Sequence, residues 1–349
     1  MQSLITKGIN FDEQNIDIAA TPASPYSSLY VFGDSTVDTG NLFNVTTAIQ
    51  ESNESTGFDI PVLPPSPPYF EGRTSNGQIW VDNLADKFNI DLTPASELSF
   101  ASPDSDILSP VTIVDGNPVV SPFFNGNTIN QSVNFGYGSA TTGFGGSGVG
   151  ELGNFVPGME QQVDFFIADH IQANQTADPD ALYVLWAGNN DYLALNADPE
   201  QVVDNIDTQI GSLYDVGGRD FLVVNIPDLG KLPEANNPNL PISPEELSEL
   251  SDTHNLLLDS TVDELEDTLT GANITVLDVN SLLDDVIGNP EEFGLTNVTE
   301  SFLDPLTLTP TVGANPDEYL FYDTIHPTVA GYNLLSDLAL ETLAIEAEY

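Results

Sequence analysis

Two short stretches at opposite ends of the chain carry the residue types of an acyl-transfer site: Gly33-Asp34-Ser35-Thr36 and Asp323-Thr324-Ile325-His326. Serine is a poor nucleophile at neutral pH and needs an adjacent base to take its proton. His326 suits that role because an unperturbed imidazole titrates near working pH. Asp323 precedes it by three residues, a spacing that on a helical turn puts both side chains on one face, where a carboxylate holds the imidazole tautomer and stabilises the imidazolium. Pro327 suits the first turn of a helix that follows. An anionic tetrahedral intermediate also needs donors. The candidates are the Ser35 N–H at an expected helix start, a backbone N–H from a Gly-rich turn, and the side-chain amide of Asn190 in Gly188-Asn189-Asn190-Asp191.

Each residue also has a plainer reading. A lone serine at a strand end is more often a helix cap, and a lone asparagine a turn residue. Together and in this order, Ser35, Asn190, Asp323 and His326 point to catalysis. Asp34 and Asp191 are expected to bond nearby backbone and shape their turns, and Asp38 and Asn41 read as cap and turn residues. His170 is expected as a packing or surface residue, and His254 in a polar helix start.

These residues need a scaffold that brings distant stretches to one edge. Leu29-Tyr30-Val31-Phe32, Leu182-Tyr183-Val184-Leu185-Trp186, Phe221-Leu222-Val223-Val224 and Ile274-Thr275-Val276-Leu277 read as buried strands. Helical patterns lie between them. Met159, Val163, Phe166, Ile167 and Ile171 share one helix face, as do Ile206, Ile210 and Leu213, and Ser243-Pro244-Glu245-Glu246 is a helix start with a capping box. Strands separated by helices predict a parallel sheet covered on both faces, with sites at the carboxyl ends of its strands. Residues 1–28 read as an N-terminal extension and 29–349 as one domain, with loop insertions near 44–70 and 91–130.

Composition narrows the function. The chain has 349 residues, enough for a large core, and 54 Asp+Glu against 5 Lys+Arg give a net charge of −49. Such a field repels phosphate backbones and anionic membrane surfaces, which excludes nucleic acid as a partner. It is also expected to raise the pKa of His326, giving an alkaline optimum that salt moves toward neutrality. The absence of cysteine rules out disulfides, thiol nucleophiles and thiolate metal sites. No apolar run approaches a membrane span, so no stable membrane insertion is expected. No ordinary signal peptide is visible, yet the charge suits a secreted protein in a salty or extracellular medium. Oligomeric state is left open.

Taken together, these stretches resemble the GDSL/SGNH hydrolase family. The resemblance rests on Phe32-Gly33-Asp34-Ser35-Thr36-Val37-Asp38-Thr39-Gly40-Asn41, Asn134-Phe135-Gly136-Tyr137-Gly138-Ser139-Ala140-Thr141, Gly188-Asn189-Asn190-Asp191 and Asp323-Thr324-Ile325-His326, in order. It extends from Leu29 to Leu343 and includes Phe70-Glu71-Gly72-Arg73-Thr74-Ser75-Asn76-Gly77. It implies a flavodoxin-like three-layer α/β/α sandwich around a central parallel sheet, with Ser35 as nucleophile and His326 as base oriented by Asp323. It further implies an oxyanion hole from the Ser35 amide, the Asn190 side chain and an amide of Gly138 or Ser139, with Gly138 preferred. Thr36 stands where relatives usually carry leucine and is expected to have no chemical role.

The activity so implied is hydrolysis of small-molecule or lipid carboxylic esters through an acyl-Ser35 intermediate, without cofactor or metal. Carbohydrate O-acetyl ester cleavage or acyl transfer are alternatives on the same fold. A non-catalytic secreted binding protein is an alternative of another class. Gly143-Phe144-Gly145-Gly146-Ser147-Gly148 matches a dinucleotide-binding glycine pattern, but no strand leads into it and no helix start follows. G-x-S-x-G is absent, which argues against an α/β-hydrolase nucleophile elbow.

Overall fold

In a computed structural model of the chain, the described residues are 24–346 except 103, 106, 108, 148–151, 195 and 196. Most of the expected N-terminal extension therefore lies outside the described residues. In chain order the elements are β1 (Leu29–Gly33), α1 (Asn41–Thr56), α2 (Trp80–Phe88), β2 (Leu92–Pro94), α3 (Ala95–Leu98), β3 (Val111–Val114), β4 (Asn117–Val120), β5 (Ser132–Asn134), α4 (Leu152–Phe155) and α5 (Met159–Ala173). There follow β6 (Leu182–Trp186), α6 (Asn189–Leu193), α7 (Pro199–Val216), β7 (Asp220–Val224), α8 (Pro244–Thr268), β8 (Asn273–Leu277), α9 (Val279–Gly288), β9 (Asn297–Ser301), β10 (Tyr319–Phe321) and α10 (Val329–Glu346).

The main sheet runs β2-β5-β1-β6-β7-β8 with every pair parallel. Its last five strands have the flavodoxin-like order, in which the chain reverses direction of travel beside the first strand. The four apolar runs expected as strands are β1, β6, β7 and β8. The other two strands, β2 and β5, have three residues each, too short for a pattern of their own.

Alternation along each strand sorts the side chains to two faces. Tyr30, Phe32, Tyr183, Leu185, Phe221 and Val223 pack against α5, α7 and α8 through residues such as Phe166, Ile210 and Leu258. Val31, Val184, Trp186, Leu222 and Val224 pack on the opposite side against Trp80, Leu84, Tyr332 and Leu335 of α2 and α10. The result is the expected three-layer sandwich. Helix α8 begins as expected: the Ser243 hydroxyl accepts from Glu246 N–H and the Glu246 carboxylate accepts from Ser243 N–H.

Three expectations are corrected. The stretch 44–70 opens inside α1, and 91–130 contains β2, α3 and the antiparallel hairpin β3–β4, so both hold regular structure. On α5 the buried face is rotated from the one expected: Ile171 is 70% exposed, while Gln162, Asp169 and His170 are buried. His254 lies in the interior of α8, fully buried, rather than in a polar helix start.

Candidate active site

Strand β1 delivers Ser35 to the carboxyl edge of the sheet. Its last residue, Gly33, has φ +150°, and a Cβ there would lie 2.0 Å from the Trp186 carbonyl oxygen, so only glycine fits. The buried side chain of Gln162 braces this strand end, accepting from Gly33 N–H at 2.8 Å and donating to Gly33 C=O at 2.9 Å. The chain then turns. Asp34 Oδ1 accepts from the Thr36 N–H and hydroxyl, and Asp34 C=O accepts from Val37 and Asp38 N–H. Ser35 therefore stands on a single turn, not at the expected helix start; α1 begins six residues later. Thr36 holds the buried Asp34 carboxylate through its hydroxyl, a bond that leucine could not make.

The second half of the pair arrives on a loop. Strand β10 pairs parallel with β9, Phe321 bridges Pro327, and the Tyr322 N–H donates to His326 C=O at 2.8 Å. Asp323 and His326 thus share a narrow loop and not a helical turn. Their proximity comes from the aspartate folding back: Asp323 Oδ1 accepts from Ile325 N–H at 2.9 Å and His326 N–H at 2.7 Å. Pro327 precedes α10 by two residues and lies outside its first turn.

The structure brings Ser35, His326 and Asp323 together. His326 Nδ1 lies 2.8 Å from Asp323 Oδ2, and its Nε2 lies 2.7 Å from Ser35 Oγ. A ring nitrogen facing a carboxylate carries the proton, so Nε2 is assigned as acceptor of the Ser35 hydroxyl. Burial disfavours the imidazolium, but the Asp323 carboxylate, aided by Asp34, outweighs it and raises the His326 pKa. For Asp323, burial favours the protonated acid; His326 and the N–H groups of residues 325 and 326 outweigh that and lower its pKa.

Asn190 sits in α6, just past β6, and its side-chain amide donates to Ala140 C=O at 2.9 Å. It lines the same cleft of about 310 Å³ as Ser35, Gly138, Ser139, Asp323 and His326. The preference for Gly138 as a donor fails on geometry. Its N–H already donates to Asp38 Oδ2 at 2.8 Å. Asp38 also accepts from Gly40, Asn41 and Leu42 N–H, and burial nonetheless raises its pKa to about 6. The next residue, Ser139, has φ +70°, and neither its N–H nor that of Ser35 donates to a partner among the described residues. Asp191 accepts from the Thr142 N–H and hydroxyl, 49 positions away, so it anchors the Gly-rich loop rather than shaping its own turn as expected.

Two supporting contacts lie outside what the sequence predicts. Tyr69 donates to Asp323 Oδ2 at 2.7 Å, and Asn41 ties Asn134 and Gly136 C=O to the start of α1. Tyr69 stands one residue before the Phe70–Gly77 stretch and carries no signal of its own, and Asn41, read as a cap or turn residue, reaches a second block 93 positions away. The Gly143–Gly146 stretch forms a loop closed by an Ala140–Gly146 bridge, on which Gly158 packs so closely that a Cβ would lie 2.0 Å from Gly143 C=O. Among the described residues, no helix is long and apolar enough to cross a membrane.

The chain is similar to known proteins over most of its length. Residues 29–339 match the profile of the GDSL-like lipase/acylhydrolase family. A phosphatidylcholine-sterol acyltransferase of Aeromonas hydrophila is 26% identical over 285 residues, covering 80% of this chain and 66% of that protein. A GDSL esterase/lipase of Arabidopsis thaliana is 25% identical over 359 residues, covering 93% and 91% respectively. A solved lipolytic protein of the G-D-S-L family from Veillonella parvula aligns with 91% of this chain and 98% of its own at a TM-score of 0.42 and 14% identity. With its family profile matched from the first sheet strand into the last helix, this chain belongs to the GDSL-like lipase/acylhydrolase family, enzymes of ester bonds.

Proposed function

We propose that this enzyme hydrolyses carboxylic esters through an acyl-Ser35 intermediate. The observation that carries the reading is the 2.7 Å contact between His326 Nε2 and Ser35 Oγ, with Asp323 on the far ring nitrogen. His326 takes the Ser35 hydroxyl proton as Oγ bonds to the ester carbon, and the carbonyl π pair moves onto oxygen. That oxyanion is held by the Ser35 N–H, the Ser139 N–H and the Asn190 amide, each such donor being worth about 10²–10³ in rate. As the tetrahedral adduct collapses, the C–O bond to the alcohol breaks and the alcohol takes the proton from His326. Water, deprotonated by the same ring, then releases the acid and restores Ser35.

A second acceptor is favoured by one observation: the Aeromonas relative is named as an acyltransferase. Transfer to an alcohol would use the same acyl-Ser35 and differ only in what enters the cleft. The −49 charge makes neutral esters better substrates than anionic lipid surfaces, and it supports action in an extracellular medium of high ionic strength. The test is turnover of p-nitrophenyl esters by wild type and Ser35→Ala, with and without an added alcohol. Loss of about 10⁴-fold in Ser35→Ala is the expected result. Undiminished turnover by that variant would sink the reading, and alcohol-dependent ester formation would assign the transferase.

A further inference from the structure

Ser35 and His326 rise from different sheets. Ser35 follows β1 of the main sheet, whereas His326 follows β10, which belongs to the separate two-stranded sheet β9–β10. Strand pairing therefore does not fix the distance between them, and the 2.7 Å contact needs another spacer. The stretch Phe70–Gly77, which the reaction as described does not use, hydrogen bonds to both sides. Thr74 donates its hydroxyl proton to Ser35 C=O at 2.9 Å, and the adjacent Ser75 donates to Pro327 C=O at 3.0 Å. Asn76 Oδ1 then accepts at 2.9 Å from the N–H of Val329, the first residue of α10.

The bonds of Thr74 and Ser75 each complete the hold on one peptide plane. The plane between residues 35 and 36 is held at its N–H by Asp34 Oδ1, at 2.9 Å, and at its C=O by Thr74. The plane between 327 and 328 is held at its N–H by Leu320 C=O, at 2.9 Å, and at its C=O by Ser75. A peptide unit is flat and stiff, so pinning both edges sets the direction in which Ser35 presents its side chain. The stretch itself is anchored. Arg73, one of only five basic residues, makes two 2.8 Å bonds to the Asp82 carboxylate of α2. At the far end, a Cβ on Gly77 would lie 2.5 Å from Val329 Cγ2, so glycine permits the close seating against α10.

We propose that Thr74-Ser75 is the spacer that sets the separation of Ser35 from His326, with Thr74 the positioning residue of the nucleophile. The inference rests on the acyl-Ser35 reading. Thr74 lines the cleft, yet its hydroxyl proton is committed to the Ser35 backbone, so it acts through Ser35 and not on the ester. Without that bond Ser35 C=O loses its partner, the peptide is free to turn, and the Oγ–Nε2 contact lengthens. Steps that pass a proton between these two atoms then slow, while ester binding is little changed.

In Thr74→Val, close in shape but without the hydroxyl, kcat is expected to fall about tenfold or more with KM within about threefold. Thr74→Ser keeps the hydroxyl and is expected to return kcat to within about twofold of wild type. Ser75→Ala is expected to lose a similar factor, and the double variant Thr74→Val/Ser75→Ala little more than either single one, because a spacer cut at one end is already cut. The readout independent of turnover is nitrogen NMR of the three histidines, with His326 assigned from His326→Gln. Its Nε2 signal is expected to move in Thr74→Val toward the position it has in Ser35→Ala, and to stay in place in Thr74→Ser. Thermal melts identify a variant that has not folded, and Ser75→Ala carries the same NMR test from the other end of the spacer.

Wild-type kcat in a folded Thr74→Val overturns the proposal, as does an equal loss in Thr74→Ser or a rate loss with the Nε2 signal unmoved. Losses that multiply in the double variant overturn the assignment of a single spacer. An Nε2 signal that responds as expected, in a protein whose turnover does not need Ser35, leaves the spacer standing and removes the hydrolase reading instead.

Discussion

The Tyr69 hydroxyl donates to Asp323 Oδ2 at 2.7 Å, across 254 positions of sequence, on the same oxygen that faces His326 Nδ1 at 2.8 Å. Tyr69 is held for this contact. Its ring meets Tyr322 edge-on with centroids 5.5 Å apart, and the Tyr322 hydroxyl donates to Pro68 C=O at 2.7 Å. Burial, and then the neighbouring Asp323 charge, keep the phenol protonated by raising its pKa. Asp323 thus shares its charge between the imidazole and a second donor.

Removing that donor should strengthen the hold of Asp323 on His326. In Tyr69→Phe the imidazolium is better stabilised, so the already raised pKa of His326 rises further. Base catalysis needs neutral imidazole, so the acid limb of the kcat/KM profile should move to higher pH while the plateau rate is largely recovered. A variant that loses rate equally at every pH, with its limb unmoved, refutes this role.

Ser139 is expected to act through its backbone alone. Ser139→Gly keeps the N–H and relieves the positive φ, so activity should stay within about twofold of wild type. Ser139→Pro removes the N–H and cannot adopt φ +70°, so it should lose at least about 10²-fold. A large rate loss in a folded Ser139→Gly would transfer the role to the hydroxyl.

Salt should change the pH profile less than net charge alone suggests. Asp323 touches His326 at 2.8 Å, leaving no room for an ion between them, while the diffuse surface field is screened. Between about 0.1 M and about 1 M salt the acid limb should move toward neutrality but remain above the ordinary imidazole value. A limb that reaches the ordinary value at high salt would mean that surface charge, not Asp323, sets the shift.

His254 should make the fold acid-sensitive. It is fully buried in α8, with Nδ1 2.9 Å from the Tyr192 hydroxyl, and burial lowers its pKa to about 4. Between roughly pH 6.5 and 4 the unfolded chain binds a proton there that the folded chain does not, so stability rises with pH by up to about 3 kcal/mol across that window. Asp38 and Asp191, each with a pKa raised to about 6 by burial, work in the opposite direction. The measurement is therefore a difference: His254→Gln should flatten the acid-side loss of Tm relative to wild type, and parallel curves would exclude His254 as its source.

What could be read from residue order alone was whatever depends on residue type and local run. Ser35, Asn190, Asp323 and His326 stood out because few side chains can be nucleophile, base or oxyanion donor, and β1, β6, β7 and β8 because short runs rich in apolar and β-branched residues have one good fate in a chain this polar. The edge strands β2 and β5 were not legible; three residues such as Ser132-Val133-Asn134 become a strand only once β1 and β2 offer partners on both sides. The helical turn expected for Asp323 and His326 gave the right neighbours for the wrong reason, since a carboxylate folding onto its own backbone closes the same distance. Gly138 and Ser139 could be told apart only when Asp38, 100 positions earlier, was seen to occupy one N–H. Tyr69 on Asp323, Gln162 on Gly33 and Thr74 on Ser35 belong to the tertiary structure for the same reason. Each is a contact between residues that the fold brings together, and linear sequence carries types and spacings but not the three-dimensional neighbours that decide which hydrogen bonds remain free.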